Sequence, residues 1–282
     1  MIQFKLSAFS DELSPEIDRQ IEWLSANGLD YMEIRGVDGT PVAEITLDKA
    51  REVKAKLDAA GIRISALGSP AGKININDDF EPHVEQFRHL LEIASILEAK
   101  RMRMFSFFMP EGCDPADHRA EVMRRLGVFV ELARPYGVTL CHENEKNIYG
   151  DTPERCLDIY NEFGGEIKCV FDHANFISCE IEPFPYAYDM LKHTFSHMHI
   201  KDADRNAEMV PAGEGIGRIP ETLAALKEVY DGEFILTLEP HLMEFGGLAG
   251  LESEGHTSNL GNRYKNSDEA FEVALTALRR YI

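Results

Sequence analysis

Eight short apolar runs recur along this chain of 282 residues, and segments with helical periodicity separate them. Each run has the length and the β-branched or aromatic content that is typical of a buried strand. Regular alternation of strand and helix predicts a parallel sheet, and eight such units most simply close into a (β/α)8 TIM barrel. The runs read IQFKLSAF, LDYMEIR, IRISALG, RMRMFSF, VTLCHE, IKCVFD, FSHMHIK and FILTLE.

An open, doubly wound α/β sheet is the alternative fold. Such a sheet usually carries a glycine-rich phosphate loop after its first strand, where this chain reads AFSDELS. No linker or low-complexity stretch divides the sequence, so we expect a single catalytic domain over residues 1–282. The one irregular region, HLMEFGGLAGLESEGHTSNLGNRYKN, follows strand eight and predicts a long loop, either a functional lid or a disordered insert.

Composition narrows the class of partner. The formal net charge of -20 argues against a nucleic-acid backbone or an anionic membrane surface as a partner. No apolar run is long enough to span a bilayer, and the N-terminus does not resemble a signal peptide. The five cysteines show no CxxC spacing, which favours a reducing cytoplasm. The oligomeric state stays open, a homo-oligomer included.

Four of the strand-like runs end in residues that bind metals. Glu143, Asp172 and Glu239 end three of them, and the HMH of a fourth offers His197 or His199 on one face. The carboxyl ends of barrel strands meet at one mouth, where unpaired carboxylates would repel each other. A divalent cation removes that repulsion, and an oxygen-rich set with one imidazole suits Mn²⁺, Co²⁺, Mg²⁺ or Zn²⁺. The spacing therefore predicts a site for one divalent metal ion.

Polar residues also end or follow the second, third and fourth strands. A polyhydroxylated substrate needs such partners because each hydroxyl that loses water must find a hydrogen bond. For Glu33 and Arg35 the alternative interpretation is an ion pair at the barrel rim, and for Lys73 it is a solvated surface position. The residues are Glu33, Arg35, Ser69, Lys73 and Ser106.

After the seventh strand, Lys201, Asp202 and Arg205 precede the glycine-rich segment PAGEGIG. Backbone amides in such a segment can bind a phosphate at a helix N-terminus. The other interpretation is a tight turn that positions Arg205, and we favour it because the pattern is not a Walker loop. No GxSxG nucleophile motif and no dinucleotide-binding GxGxxG motif follows a strand.

The ordered set of motifs resembles the xylose isomerase-like TIM-barrel superfamily, the sugar phosphate isomerase/epimerase group. The resemblance covers nearly the whole chain and is closest to the branch with HENEK, DxANF, HIKDA and LEPHL motifs. The pieces that carry it are MEIRG, HEN, FDHANF, HMHIKDADR with PAGEG, and LEPH.

The resemblance assigns roles to individual residues. It implies a divalent metal on Glu143, Asp172, Glu239 and the second histidine of HMH, His199, with His197 one layer deeper. In related ketose 3-epimerases the two metal-bound glutamates also shuttle the proton, which implies catalytic roles for Glu143 and Glu239. Those enzymes carry an arginine near the substrate, and Arg205 matches it.

Two positions depart from the ketose 3-epimerases. Asn175 stands where those enzymes have a histidine, and Tyr149 stands where they have a further acid. Both differences put a free ketose in doubt more than they threaten the metal. We keep Asn175 and Lys201 among the residues expected to contact the substrate.

The expected activity is isomerisation or epimerisation next to the carbonyl of a sugar or sugar derivative, through an enediolate and with a small-molecule carbohydrate as the partner. An inosose dehydratase-like lyase on the same metal site is the main alternative. An endonuclease IV-like phosphodiesterase fits less well, because that fold relative uses additional histidines that are not seen on strands two to four. A non-catalytic sugar-binding protein is the fourth interpretation, and the complete ligand set argues against it.

Overall fold

The computed structural model describes residues 1–246, 259–260 and 263–282 of the chain. The predicted loop after strand eight, with its interpretation as a lid, therefore lies largely outside the described residues.

Eight parallel strands form one sheet in which every predicted strand is present. Hydrogen-bonded neighbours follow the order β1-β8-β7-β6-β5-β4-β3-β2, and β1 also contacts β2, so the sheet curls into a nearly closed barrel. This confirms the predicted (β/α)8 TIM barrel. The strands are β1 Ile2–Ala8, β2 Tyr31–Ile34, β3 Arg63–Gly68, β4 Arg101–Met104, β5 Thr139–Glu143, β6 Ile167–Asp172, β7 Phe195–Ile200 and β8 Gly232–Leu238.

Helices connect the strands as the periodicity predicts. The sequence did not predict the short α6, which begins directly after β6. Before β7, the segment Pro183–Ala187, in which Phe184 has an extended backbone, precedes a short α7. The helices are α1 Ile17–Ala26, α2 Leu47–Ala60, α3 Glu81–Ile96, α4 Pro115–Ala133, α5 Pro153–Glu162, α6 His173–Ser178, α7 Tyr188–Leu191, α8 Ile219–Val229 and α9 Ser267–Arg279. Within the described residues, no helix is both long and apolar enough to cross a bilayer.

Capping side chains fix where several helices begin. The Thr152 hydroxyl accepts the backbone N–H of Arg155 at 3.4 Å, and Pro153 occupies the first helical position of α5. The Asp172 carboxylate caps α6 by accepting the N–H of Asn175 at 2.8 Å. A candidate metal ligand thus also starts a helix, which holds its carboxylate in a fixed orientation.

The apolar core lies between the barrel and the helices around it. Phe87 of α3 and Phe129 of α4 stack with ring centroids 4.2 Å apart, and both are fully buried. Burying each such ring stabilises the fold by roughly 2–3 kcal/mol. The barrel interior differs because buried polar groups occupy it, such as the Ser7 and Ser65 hydroxyls, 2.7 Å apart. The helix layer therefore supplies most of the apolar packing and leaves the barrel mouth for polar groups.

Candidate metal centre and adjoining cavity

The four predicted ligands, Glu143, Asp172, His199 and Glu239, lie together at the barrel mouth. One potential ligand atom from each lies within 4.8 Å of the corresponding atom of every other. His199 Nδ1 is 2.8 Å from Glu143 Oε1 and 3.1 Å from Glu239 Oε2. All four residues are buried. The structure brings the predicted set together, and the binding of a metal stays a prediction.

Strand register explains this convergence. Asp172 and His199 are partners in the β6–β7 pairing, and His199 pairs with Thr237 of β8, two residues before Glu239. Glu143 pairs with Val170, two residues before Asp172. Because side chains alternate along a strand, a two-residue offset keeps a side chain on the same face. The stagger of the barrel therefore points all four side chains inward at nearly one level.

The cluster carries more negative charge than its neighbours balance. Burial opposes charge on His199, but Glu143, Glu33 and Glu239 outweigh burial and raise the pKa of His199 well above its usual value. Burial also raises the pKa of Asp172 to about 7, against the pull of Lys201. Without a cation, protons on these two groups would thus supply the missing positive charge.

Two oxygens of the cluster fit a metal ion. Asp172 Oδ2 and Glu239 Oε2 are buried and accept no hydrogen bond from the described residues. Lys201 Nζ lies 3.0 Å from Asp172 Oδ2 and 3.7 Å from Glu239 Oε2 and contributes charge without closing the site. Three carboxylates and one imidazole form an oxygen-rich donor set of the kind that divalent cations accept. The residues present therefore fit a divalent metal.

Each catalytic candidate has one oxygen in the cluster and one outside it. Arg103 Nη1 donates to Glu143 Oε2 at 2.9 Å, and Arg35 Nη1 donates to Glu239 Oε1 at 2.9 Å. The other oxygens, Glu143 Oε1 and Glu239 Oε2, face His199. An arginine thus fixes each glutamate while leaving an oxygen for a metal.

Arg35 is held from several sides. Its Nε and Nη2 donate to the Asp11 carboxylate at 2.9 and 3.1 Å, and Nη2 also donates to Glu12 at 3.2 Å. Its guanidinium carbon lies 4.3 Å from the centroid of the Phe9 ring. Burial opposes the charge, but Asp11, Glu12 and Glu239 together raise the pKa of Arg35. Arg35 therefore positions Glu239, and three carboxylates already occupy its donors.

Glu33 lies behind the cluster, in contact with the far edge of the His199 ring. His199 Nε2 is 3.3 Å from Glu33 Oε1, and the Thr237 hydroxyl donates to Glu33 Oε2 at 2.7 Å. His197 Nε2 is 3.4 Å from Glu33 Oε2, so His197 lies in the deeper layer that the family resemblance implied. The rim ion pair with Arg35 does not form among the described residues. Glu33 instead orients His199, as acidic partners of metal-binding histidines commonly do.

Other predicted substrate contacts fall at different distances from the cluster. Asn175 Nδ2 donates to the backbone oxygen of Asn144 at 2.9 Å and to Glu143 Oε1 at 3.4 Å, so Asn175 borders the site. Lys201 borders it through Asp172. Arg205 is exposed at the turn of a hairpin. Among the described residues, no contact joins Arg205 to the cluster. Ser69 and Ser106 bond to protein groups instead.

The PAGEGIG segment forms a nest around a carboxylate of the chain itself. The N–H groups of Gly213, Gly215 and Gly217 donate to Asp202 at 2.9, 3.2 and 2.9 Å. A Cβ at Gly215 would stand 2.3 Å from an Asp202 carboxylate oxygen, which requires glycine there. Asp202 therefore occupies the amides that a phosphate would need, so the phosphate interpretation of this segment is wrong.

A cavity of about 280 Å³ adjoins the cluster over the carboxyl ends of β1 to β4. Arg35 and Arg103 belong to its wall and also contact Glu239 and Glu143, so they lie between the cavity and the candidate ligands. Lys73 lines the same cavity, as predicted for a residue at the mouth.

Sequence reasoning missed four polar neighbours of the site: Asp11, Glu12, Arg103 and His241. Arg103 had a usable signal, because an arginine inside the apolar strand RMRM is costly to bury unless it is paired. His241 Nε2 lies 3.3 Å from Glu12 Oε1 and 3.5 Å from Glu239 Oε1. Glu12 precedes α1 and showed no signal, because only folding brings it to Arg35.

Comparison with known proteins identifies the family. The family model described as xylose isomerase-like TIM barrel matches residues 21–258, so the chain belongs to this family. No curated protein matches the chain.

Solved structures share the fold at low sequence identity. The IOLI protein with a bound zinc atom is 18% identical, with 99% of each chain covered and a TM-score of 0.73. A D-psicose 3-epimerase with D-tagatose from Clostridium cellulolyticum H10 is 18% identical, with 98% of this chain and 99% of that chain covered and a TM-score of 0.71. The probable 3-DHS dehydratase AsbF from Bacillus anthracis is 17% identical, with 84% of this chain and 92% of that chain covered and a TM-score of 0.69. At these identities the similarities establish the fold alone.

Proposed function

We propose that residues 1–282 form a single catalytic domain, a metal-dependent isomerase or epimerase that acts next to the carbonyl of a small sugar or sugar derivative. One observation carries the proposal: three buried carboxylates and an imidazole converge, and two of their oxygens lack hydrogen-bond partners among the described residues. The zinc atom named for one fold relative and the epimerase activity named for another support it.

Glu143, Asp172, His199 and Glu239 would hold one divalent ion, with Mn²⁺, Co²⁺, Mg²⁺ and Zn²⁺ as the candidates. When bound, the ion would supply Lewis-acid stabilisation of the negative charge that develops on the substrate oxygens. Glu33 would keep the His199 ring oriented, with Nε2 facing the Glu33 carboxylate and Nδ1 facing the cluster.

The two glutamates would move the proton. In this proposal one glutamate removes the proton from the carbon next to the carbonyl, and the other returns it on the opposite face. The oxygens outside the cluster, Glu143 Oε2 and Glu239 Oε1, accept hydrogen bonds from Arg103 and Arg35, so each would take the substrate proton on its remaining lone pair. Both arginines hold the carboxylates in place, and positioning of this kind accounts for much of the rate gain in proton transfer.

Glu143→Gln and Glu239→Gln test this assignment. Each amide keeps the size of the side chain but cannot take a proton, so we expect turnover to fall by at least about a thousandfold while the circular dichroism spectrum stays unchanged. The screen would offer ketoses, inososes and keto-sugars to protein loaded with each of the four metals. Glu233→Gln, an exposed acid at the opposite end of β8, serves as the matched control.

Parental turnover in either glutamine variant would remove that residue from the mechanism. A purified protein that contains no metal, and that neither Mn²⁺ nor Co²⁺ stabilises against heat, would instead favour a non-catalytic sugar-binding protein.

Dehydration on the same site is the second candidate function. The same deprotonation would then be followed by loss of a β-hydroxyl as water. Asn175 at the edge of the site, where ketose 3-epimerases carry a histidine, favours this candidate, and a fold relative is named a probable dehydratase. An assay for water loss, run beside one for stereochemical exchange, separates the two reactions.

A further inference from the structure

Two cationic side chains meet in the wall of the cavity next to the candidate metal centre. The Arg103 guanidinium carbon lies 4.8 Å from the Phe105 ring centroid, and Lys73 Nζ lies 4.4 Å from the same centroid. Both line the cavity of about 280 Å³. The side chains are 4% and 11% exposed, so water solvates neither charge well. Two like charges held on one ring with so little water repel each other unless anions compensate them.

Protein groups among the described residues compensate Arg103 only in part. Arg103 donates one hydrogen bond to the described residues, from Nη1 to Glu143, and its buried Nε has no partner there. Lys73 pairs with Glu145 at 3.3 Å. Arg35, in the same wall, differs because Asp11, Glu12 and Glu239 surround it. The wall thus contains Arg35, whose donors are occupied by carboxylates. Beside it lies Arg103, which has unused donors among the described residues and is next to Lys73.

A cation on Glu143 would widen the imbalance. That carboxylate is the hydrogen-bond acceptor of Arg103, and its other oxygen faces the cluster. If Glu143 shares its charge with a metal ion, as the proposed function requires, less negative charge is left to balance Arg103. An anion that enters the cavity with the substrate would restore the balance.

We propose that the substrate carries an anionic group, a carboxylate or a phosphate, and that Arg103 and Lys73 bind it. This inference rests on the proposed function and names the class of substrate for the same site. The planar guanidinium would donate to Glu143 and to the anion from different nitrogens, a geometry that arginine provides and lysine does not. The anionic group would therefore sit beside the reacting end of the sugar.

The charge of the whole protein does not favour anions. With a formal charge of -20, the surface repels them at long range, so any preference for an anion must come from a local pair of cations. If such a local site exists, replacing one lysine should abolish the preference for an anion over a neutral ligand.

Binding of three open-chain polyols without an aldehyde or ketone group tests the proposal separately from turnover. The probes are D-glucitol, D-gluconate and D-glucitol 6-phosphate, measured by isothermal titration calorimetry on metal-loaded and on chelator-treated protein. We expect at least one anion to bind about tenfold to a hundredfold more tightly than D-glucitol, because hydrogen bonds between charged groups are worth about 1.5–3 kcal/mol. Whichever anion binds more tightly identifies the group as carboxylate or phosphate.

Lys73→Gln should abolish this preference, and Lys73→Arg should retain most of it. Lys100→Gln removes the same charge from an exposed lysine just before β4, at the opposite end of the barrel, and should leave the preference unchanged. Thermal unfolding of each variant confirms that the fold is retained.

The proposal is overturned if D-glucitol binds the parent protein as tightly as both anions, or if a folded Lys73→Gln variant keeps the preference. A preference that requires the metal and is indifferent to Lys73 would mean that the anions bind the metal alone, which also overturns it. Because the titrations measure binding and not turnover, these results stand apart from those on Glu143 and Glu239. Parental turnover in the glutamine variants with a Lys73-dependent anion preference would refute only the proposed function.

Discussion

The two halves of the barrel mouth divide the chemistry between them. The ends of β5 to β8 supply the carboxylates and the imidazole of the cluster, whereas the cavity lies over β1 to β4 and carries Arg35, Lys73 and Arg103. Carboxylates predominate in the cluster, whereas the cavity wall carries these three cations and one carboxylate, Asp11, which pairs with Arg35. The acidic half therefore suits a cation, and the basic half suits the oxygens of a ligand.

Two contacts join the halves. Arg103 of β4 bonds to Glu143 of the neighbouring β5, and Arg35, which follows β2, bonds to Glu239, which follows β8, across the end of β1. Because each glutamate bonds to both halves, a change in either half can affect the carboxylates of Glu143 and Glu239. Measurements that affect one half and spare the other are therefore the most informative.

A change of pH should change binding most in the acidic half. Below pH 7, Asp172, whose pKa burial raises to about 7, is mostly protonated, and the raised pKa of His199 keeps its ring protonated too. A metal must displace these protons, so its affinity should fall as pH falls, by up to about tenfold per pH unit for each proton displaced. Calorimetric titration with Mn²⁺ at pH 8, 7 and 6, in two buffers of different ionisation enthalpy, measures both affinity and proton release.

Gluconate binding provides the contrast, because its carboxylate stays ionised over this range. Its affinity for metal-free protein should change little from pH 8 to pH 6. A metal affinity that is equally flat would mean that the cluster holds no displaceable protons.

Glu33→Gln is the next sharpest way to separate the halves. The amide cannot support the His199 ring as the carboxylate does, so we expect metal affinity to fall about 10-fold to 100-fold, which is typical of lost partners of metal-binding histidines. Gluconate binding to the metal-free variant should match that of the parent, since Glu33 does not line the cavity. Unchanged metal affinity would show that Thr237 and His197 orient the ring without Glu33.

Gly68→Ala tests the basic half with a smaller effect. An added Cβ would stand 2.5 Å from the Phe9 ring edge and 3.2 Å from the Arg35 Cβ, so the ring that packs against Arg35 and His199 must move. We expect a loss of about 1–3 kcal/mol in the free energy of unfolding, measured with denaturant.

Gly127→Ala is the matched control for that experiment. Gly127 lies inside α4, and a Cβ there would meet only Phe163, at an ordinary 3.7 Å. Alanine should stabilise this helix by about 0.4–1 kcal/mol. Equal effects of the two substitutions would show that the close approach at Gly68 is not a constraint.

The barrel and the positions of the candidate ligands could be predicted from local patterns alone. Period-two and period-3.6 apolar runs record which face of each element is buried, and the C-terminal residue of a barrel strand can face only the mouth. Glu143, Asp172 and Glu239 follow directly from that rule. Choosing His199 over His197 needed the family resemblance, because both lie on the same strand face.

Such local patterns could not predict contacts between side chains that are distant in sequence. Glu33 ends a strand as the ligands do, yet it points behind His199, since β2 meets β7 and β8 only in the closed barrel. From the sequence, the backbone amides of PAGEGIG could bind a phosphate, but in the folded protein they donate to the Asp202 carboxylate. Arg205, expected at the substrate, is exposed on a hairpin turn.

Local sequence patterns specify the elements, their order and the edge of the sheet to which each polar side chain belongs, because these depend on neighbours along the chain. Which charges meet at that edge depends on how the barrel folds. The pairing of Arg103 with Glu143 and of Arg35 with Asp11 depends on barrel closure and stagger, which place residues from separate strands within about 3 Å of each other. Electrostatic energy changes steeply over such distances, so the partner and the charge of each group emerge only on folding.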